Sequence, residues 1–338
     1  MNADASNGSP EIFSTCPPWN DGDRQGFRDR VVAVSRWSEA AGCRGILVYS
    51  DNAQVDPWLV AQIVIENTRE ICPLVAVQPI YMHPCTVAKL VASLGALYGR
   101  RVCLNMVAGG FKNDLNSLND TTPHDRRYQR LMEYTTVITR LLVEDGPISY
   151  AGEFYRVEKL SLKPALPRAL RPGIFISGSS AAGMAAARAL GATAIRYPRP
   201  AGEEPDDVVP AGVACGIRVG IISRAEEPQA WEAARVRFRD DRRGQLAHQL
   251  AMKVSDSEWH RQLSALGTAP GASPYWLAPF ENYKTMCPYL VGSYERVGEE
   301  LRRYMALGSR TFILDVPPDA EDLRHARHAF ERAAGGPA

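Results

Sequence analysis

The sequence has no run of about 20 apolar residues, the length that crosses a membrane as a helix. Its first residues, MNADASNGSPEIF, contain neither the basic segment nor the apolar core of a secretion signal. The composition therefore predicts a protein without membrane spans, and we expect it to be cytoplasmic.

An excess of charge of one sign and a metal-ligand spacing are lacking as well. The formal net charge is +1, so no overall field would hold a nucleic acid or an anionic membrane. The seven cysteines are an odd number with no C-x-x-C pair, and the six histidines show no metal-binding spacing. We expect buried, reduced thiols, no metal site, and neither nucleic acid nor membrane as a partner.

Strand-like and helix-like segments alternate along the 338 residues. This alternation predicts parallel strands joined by right-handed helical crossovers, and the apolar strands predict a sheet covered on both faces. Eight such units favour a (β/α)8 TIM barrel forming one domain over residues 1–338, with a doubly wound sheet as the alternative. The predicted strands are 11–15, 44–50, 72–79, 101–108, 173–177, 193–197, 215–223 and 311–316. The predicted helices are 26–41, 57–68, 85–98, 124–143, 180–190, 226–238, 292–307 and 319–334.

Two segments interrupt the alternation. Residues 146–164 predict a small hairpin that turns at Gly152, and residues 241–290 predict a polar, partly helical insertion. A long insertion after a barrel strand commonly covers the mouth of the active site, so we expect a lid there. Residues 1–10 are expected to form a flexible N-terminus.

One predicted strand ends in the small residues of IFISGSSAAG, at 174–183. Gly178 allows close approach of the backbone, Ser179 can cap the helix that follows, and Ser180 adds a second hydroxyl. The free N–H groups and the dipole of a helix N-terminus favour an anion. The motif predicts a phosphate site, although an ordinary helix cap produces the same pattern.

Polar residues follow other predicted strands too. Gln54, Gln78 and Asn105 stand at strand ends, where barrel enzymes place their active sites. His124 and Tyr128 share one face at the start of a predicted helix and can reach the same mouth. No G-x-S-x-G, H-E-x-x-H or Walker motif supplies a nucleophile or a metal. The set predicts a protein that binds an anionic cofactor and leaves the chemistry to it.

Five segments, in this order and spacing, resemble the bacterial luciferase-like family of flavin-dependent monooxygenases, and most of all its alkanesulfonate monooxygenase branch. The resemblance spans roughly residues 11–330 and implies a (β/α)8 barrel. Its carriers are SDNAQVDPWLVA, VAVQPIYMHPCTVAKLVASLGALYGRRVCLNMVAGG, HDRRYQRLMEYTTVITRLL with YAGEFYRVEKLSLKPALP, IFISGSSAAG, and GIRVGIISRAEEPQAW.

The resemblance also implies roles for individual residues. Ser179 and Ser180 would contact the phosphate of FMN, helped by Tyr128 and His124. Asn105 and Gln78 would lie beside the isoalloxazine ring.

Three further residues are predicted to be catalytic from the comparison with the sulfonate branch, which keeps an arginine near its substrate. Arg218 matches an arginine of that branch, whereas Gln54 stands where the branch has a cysteine and Cys16 where it has a histidine. Gly220 also replaces a histidine. These departures argue against a sulfonate substrate.

A different substrate class is suggested by the aromatic residues of the insertion. They could close an apolar lid with Lys284 as a polar handle, and an amphipathic or carrier-bound organic substrate would fit. These aromatic residues are Tyr275, Trp276, Phe280, Tyr283 and Tyr289.

The reaction implied by the resemblance uses reduced FMN from a separate NAD(P)H-dependent flavin reductase. Reduced FMN and O2 would form a C4a-(hydro)peroxyflavin that transfers one oxygen atom to the substrate. Two alternatives stay open: an F420-dependent dehydrogenase on the same barrel, and a non-catalytic flavin-binding protein. The family implies a homodimer or a homotetramer.

Overall fold

The computed structural model describes residues 9–19, 23–109, 112–254, 258–266 and 273–335, where strands and helices alternate. The strands are β1 (Glu11–Thr15), β2 (Gly45–Val48), β3 (Cys72–Val77), β4 (Cys103–Met106), β5 (Ile148–Ala151), β6 (Arg156–Leu160), β7 (Ile174–Ser177), β8 (Thr193–Arg196), β9 (Cys215–Arg224), β10 (Tyr275–Trp276), β11 (Tyr289–Ser293) and β12 (Ser309–Leu314). The helices are α1 (Arg24–Ala40), α2 (Pro57–Asn67), α3 (Pro84–Tyr98), α4 (Lys112–Ser117), α5 (His124–Val143), α6 (Ala181–Leu190), α7 (Glu227–Arg237), α8 (Arg242–Val254), α9 (Glu258–Ala265), α10 (Ala278–Glu281), α11 (Tyr294–Ala306) and α12 (Ala320–Ala334).

Eight parallel strands close into a barrel in the order β1, β2, β3, β4, β7, β8, β9, β12. The ring closes because β9 pairs with β8 on one side and with β12 on the other, and β12 pairs with β1. The predicted (β/α)8 barrel is therefore confirmed. A doubly wound sheet would have left two edges, so that alternative is wrong.

The interior of the barrel is filled by apolar side chains from seven of its eight strands. Phe13 and Phe175 meet edge to face across this interior, with ring centroids 5.5 Å apart. Cys72 and Cys103 lie in the same layer with their Sγ atoms 3.5 Å apart. All seven cysteines are free thiols and five are buried, as the sequence predicts.

The longest strand, β9, extends beyond the barrel. Its first half pairs with β8 and β12, and its second half, Gly220–Arg224, pairs with β11 in parallel. β10 adds an antiparallel strand to β11. This small sheet at the carboxyl end of the barrel was not predicted, because YLVGS is short and precedes a helix directly.

Both predicted insertions, residues 146–164 and 241–290, contain described secondary structure. The hairpin is present as β5 and β6, and the N–H of Gly152 donates to the carbonyl of Tyr155 across its turn. Within 241–290 the described residues form α8, α9, α10, β10 and β11. Of the predicted flexible N-terminus, residues 1–8 lie outside the described residues. No described helix combines the length and the apolar character needed to cross a membrane.

Candidate active site

A cavity of about 600 Å³ opens at the carboxyl ends of the barrel strands. Nine of the ten residues predicted for the site line this cavity, and Cys16 does not. These nine residues are Gln54, Gln78, Asn105, His124, Tyr128, Gly178, Ser179, Ser180 and Arg218. Their roles remain predictions, but the fold brings them to one place because each follows a barrel strand, lies in β4 or β9, or belongs to the first turns of α5.

The backbone between β7 and α6 requires a glycine. Gly178 has φ of +149°, a conformation that L-residues rarely adopt. A Cβ atom added there would lie 2.4 Å from Oη of Tyr128. The tyrosine hydroxyl is therefore seated directly against the bare backbone at the start of α6.

The two serines that follow have different local functions. Ser180 is the N-cap of α6, because its Oγ accepts the N–H of Gly183 at 3.1 Å. Ser179 had been expected to cap the helix; instead its Oγ accepts the N–H of Tyr197 at 3.2 Å. In both cases the oxygen accepts, which leaves the hydroxyl proton to donate to a ligand.

The start of α5 closes one side of this turn. The ring of His124 packs edge to face on the ring of Tyr128, with centroids 5.2 Å apart. Nδ1 of His124 lies 2.7 Å from Oδ1 of Asp125. The helix N-terminus of α6, two hydroxyls and a phenol thus form a donor-rich cradle, defined by Tyr128, Gly178, Ser179 and Ser180, that favours an anion.

Amide side chains lie on the strand ends beside the cradle. Oδ1 of Asn105 accepts the hydroxyl of Ser177 at 2.9 Å, which fixes the amide so that its NH2 group is the free end. Nε2 of Gln78 donates to the carbonyl of Ser50 at 3.2 Å, which leaves Oε1 to accept. Together they offer a donor and an acceptor to a planar heterocycle.

Arg218 is a largely buried cation in the cavity wall. Its Nη2 lies 3.9 Å from Oδ1 of Asp315, and its side chain is 13% exposed. Burial by itself would lower the pKa of Arg218, but the neighbouring Tyr197 and Asp315 outweigh it and raise the pKa, so the guanidinium stays protonated. Its Nε is buried without a hydrogen-bond partner among the described residues.

Comparison with known proteins decides what kind of enzyme carries this cavity. The family model of luciferase-like monooxygenases matches residues 12–311. The chain belongs to this family. It is similar to the 4-(gamma-L-glutamylamino)butanoyl-[BtrI acyl-carrier protein] monooxygenase BtrO of Niallia circulans, with 34% identity over 307 residues that cover 88% of this chain and 89% of the relative.

Solved structures share the fold of the monooxygenase at low sequence identity. EDTA monooxygenase EmoA from Chelativorans sp. BNC1 is 15% identical with a TM-score of 0.73, covering 97% of this chain and 94% of that one. An F420-dependent secondary alcohol dehydrogenase is 14% identical with a TM-score of 0.66, covering 96% and 99%. The alkanesulfonate branch remains a prediction within the family.

Cys16 lies away from the cavity of the monooxygenase. Side chains alternate along a strand, so Phe13 in the barrel interior directs Cys16, three residues later, to the outside. There Cys16 packs with Phe27 and Val31 of α1 and is 2% exposed. Burial raises the pKa of its thiol well above the ordinary value. Its position therefore gives no support to the predicted catalytic role.

Gln54 remains on the wall of the cavity. Its Oε1 accepts the backbone N–H of Trp19 at 2.7 Å, which ties the segment after β1 to the segment after β2. A cysteine at this position could not make that bond as strongly, since sulfur is a weak acceptor. The residue thus joins two segments of the cavity wall.

The replacement at Gly220 has a structural counterpart. A Cβ atom at this position would lie 2.3 Å from Cζ of Tyr289, so the tyrosine ring occupies the space that a side chain would need. Oη of Tyr289 donates to Oδ2 of Asp315 at 2.9 Å. The histidine expected from the sulfonate branch is therefore replaced by a buried tyrosine from β11.

Most of the aromatic residues of the insertion do not line the cavity. Of the five, Tyr289 alone is among the residues that line the cavity, whereas Tyr275 and Phe280 belong to a core cluster. Trp259 was not predicted, yet it lines the cavity and stacks on Tyr197 with centroids 3.8 Å apart. Lys284 lines the cavity and pairs with Asp241 at 2.5 Å.

Tyr197 and Asp315 could have been found from the sequence. Each follows directly after a barrel strand, β8 and β12, at the end where the other site residues stand. Trp259 carries no such signal, because its place depends on how the insertion folds back over the barrel.

Proposed function

We propose that this monooxygenase binds reduced FMN, supplied by a separate NAD(P)H-dependent flavin reductase, and uses it with O2 to oxygenate an organic acyl group, held on a carrier protein or as a small molecule. The observation that carries the proposal is the cradle, which opens into the same cavity as the amides of Asn105 and Gln78. FMN would supply the redox chemistry, and the residues of the chain would bind and orient it.

The cradle fits a phosphate monoester. The hydroxyl protons of Ser179 and Ser180 and the N-terminal dipole of α6 all favour a dianion. Gly178 and its φ of +149° keep the backbone bare where the anion would approach. Riboflavin lacks this phosphate, so the cradle favours FMN over riboflavin.

The rest of the cavity suits a reaction from which water is excluded. The stacked rings of Tyr197 and Trp259 join the barrel wall to the insertion, which supports the prediction of a lid over residues 241–290. A closed, largely apolar chamber would protect a reactive oxygen species from hydrolysis.

Arg218 would contact the substrate. Its buried Nε, for which the described residues offer no hydrogen-bond partner, and its charge suit an anionic or strongly polar group on the acyl chain. Asp315, which accepts the hydroxyl of Tyr289, lies 3.9 Å from the guanidinium on its other side. Gln54 would line the same substrate region.

A carrier-bound substrate is supported by the relative that shares 34% identity, whose name describes an acyl-carrier-protein substrate. The F420-dependent dehydrogenase is the second candidate, and the fold it shares with this chain keeps it open. A flavin-binding protein without catalysis is the third. Family membership favours the monooxygenase over both.

Anaerobic titration of the enzyme with photoreduced FMN and with photoreduced riboflavin tests the cofactor. We expect tighter binding of FMN, and we expect the preference to disappear in Ser179→Ala/Ser180→Ala. Equal binding of both flavins by the wild type would show that the cradle does not bind the phosphate of FMN. Oxygen uptake that requires reduced FMN and rises on addition of an acyl substrate then separates the monooxygenase from both alternatives, whereas oxygen-independent reduction of F420 would select the dehydrogenase.

A further inference from the structure

Helix α8 exposes leucines where a surface helix normally shows polar residues. Leu246 is 61% exposed and Leu250 is 62% exposed, and Val236 near the end of α7 is 59% exposed. His248 of α8 faces inward and is buried against Phe280. Contiguous exposed apolar patches that are rimmed by polar residues mark sites of protein–protein contact.

The same surface is strongly basic. Residues 235–243 contain five arginines and two aspartates, and one of these, Asp241, is already paired with Lys284. Arg239, Arg242 and Arg243 are exposed, and no carboxylate among the described residues lies within ion-pair distance of them. With a net charge of only +1 on the whole chain, this is a local concentration of positive charge.

Arginines at the start of α8 are unfavourable for the helix itself. Arg242 and Arg243 occupy its first turn, which contains no acidic residue. The positive end of the helix dipole repels cations there. The placement therefore does not serve the stability of the helix, and binding of an acidic partner would account for it.

This surface adjoins the mouth of the cavity. Arg237, Phe238 and Lys284 line the cavity, and α8 begins four residues after Phe238. Gln245 of α8 donates to Oδ1 of Asn282 at 2.9 Å, which fastens the helix beside the segment that carries Lys284. A partner seated on α8 would lie at the rim of the active site.

We infer that this face, the α8 surface, is the docking site of an acidic helical acyl-carrier protein, which extends its phosphopantetheine arm from there into the cavity. The inference rests on the carrier-bound form of the proposed substrate. The α8 surface consists of Val236, Arg239, Arg242, Arg243, Leu246 and Leu250. A second copy of this chain fits less well, because two copies of the same basic surface would repel each other.

Direct binding tests the inference without flavin or turnover, so its result is independent of the proposed reaction. The probe is a fluorescently labelled acyl-carrier protein carrying the 4-(γ-L-glutamylamino)butanoyl group, followed by anisotropy at low and high salt. We expect saturable binding that weakens with salt and weakens at least about tenfold in Arg242→Glu/Arg243→Glu, because like charges would then face each other.

The variant and its control are matched. Glutamates at the start of α8 agree with the helix dipole, so loss of binding would not reflect loss of the helix. The control, Lys163→Glu/Arg168→Glu, makes the same change of charge at exposed positions in the segment that leads into β7, at the opposite end of the barrel. It should bind the probe like the wild type.

Three outcomes would overturn the inference. The wild type could fail to bind the probe, or the control could lose binding to the same extent as the α8 variant. Sedimentation could also show that Arg242→Glu/Arg243→Glu changes the oligomeric state, which would make the α8 surface an interface between copies of the chain. A flavin-binding enzyme that gives any of these results would keep the proposed reaction and lose the docking site.

Discussion

Replacement of Gly178 by alanine tests the architecture of the cradle at its tightest point. The added methyl group would meet two separate obstacles. The backbone has φ of +149°, and Oη of Tyr128 would lie 2.4 Å from the new Cβ. The ring of Tyr128 is buried and packed against His124, so it cannot move aside freely.

The two costs can be separated by removing the tyrosine hydroxyl. The strained backbone costs about 1–3 kcal/mol for a residue other than glycine, and overpacking against the hydroxyl costs about 1–3 kcal/mol more. In a Tyr128→Phe background the nearest remaining ring atom is Cζ at 3.6 Å, an ordinary contact. We expect Gly178→Ala to lower the free energy of unfolding by about 2–6 kcal/mol in the wild type and by about 1–3 kcal/mol in the Tyr128→Phe background.

Urea unfolding of the four proteins in this double-mutant cycle measures the coupling. Gly191→Ala is the matched control, because Gly191 has φ of +60° and no atom within 4 Å of its added Cβ. Gly191→Ala introduces backbone strain without a clash, so it should lower the free energy of unfolding by the same amount in both backgrounds. Equal costs of Gly178→Ala in both backgrounds would show that the hydroxyl of Tyr128 does not lie against Gly178.

Three further predictions follow from the same structure. Ser180→Asp keeps an N-cap on α6 and should leave the free energy of unfolding within about 1 kcal/mol of the wild type, but its charge should abolish the preference for FMN over riboflavin in titrations. Gly220→Ala should lower the free energy of unfolding by about 1–3 kcal/mol in urea, because its methyl group would meet the ring of Tyr289 at 2.3 Å. Burial and the neighbouring His248 lower the pKa of His260 from 6.5 to about 4. Between pH 6.5 and about pH 4 the unfolded chain therefore binds more protons than the folded protein, and the thermal midpoint should fall as the pH falls through this range.

Each of these has an outcome that contradicts it. If Ser180→Asp still prefers FMN, the phosphate does not bind at α6. If the Gly220→Ala protein is as stable as the wild type, the ring of Tyr289 does not lie against Gly220. His260→Gln should reduce the loss of stability on acidification, and an unchanged slope would assign that loss to other groups.

The alternation of strands and helices could be read from the sequence because it is a local property. All eight predicted barrel strands are present, and the start and the end of α5 match the prediction. Six of the nine site residues in the cavity were found because they stand at strand ends, two because they begin a helix, and Arg218 through the family resemblance. Parallel strands in a closed barrel leave no other end at which these residues could meet.

The exceptions mark where local pattern stops being informative. Ser179 and Ser180 are both good caps, and the choice between them depends on the backbone angles at the strand exit. Cys16 fell outside the cavity because one residue of register decides which face of β1 a side chain occupies.

By itself the sequence determined the barrel, the end at which its cavity opens and the polar character of the cradle, since each follows from the order and period of neighbouring residues. The tertiary structure alone decided that Tyr289 fills the space at Gly220 and that Trp259 stacks on Tyr197. It also decided that α8 turns its leucines outward beside the cavity. These contacts join residues dozens of positions apart, and only the packing of the insertion on the barrel selects them among the many pairs that the sequence would allow.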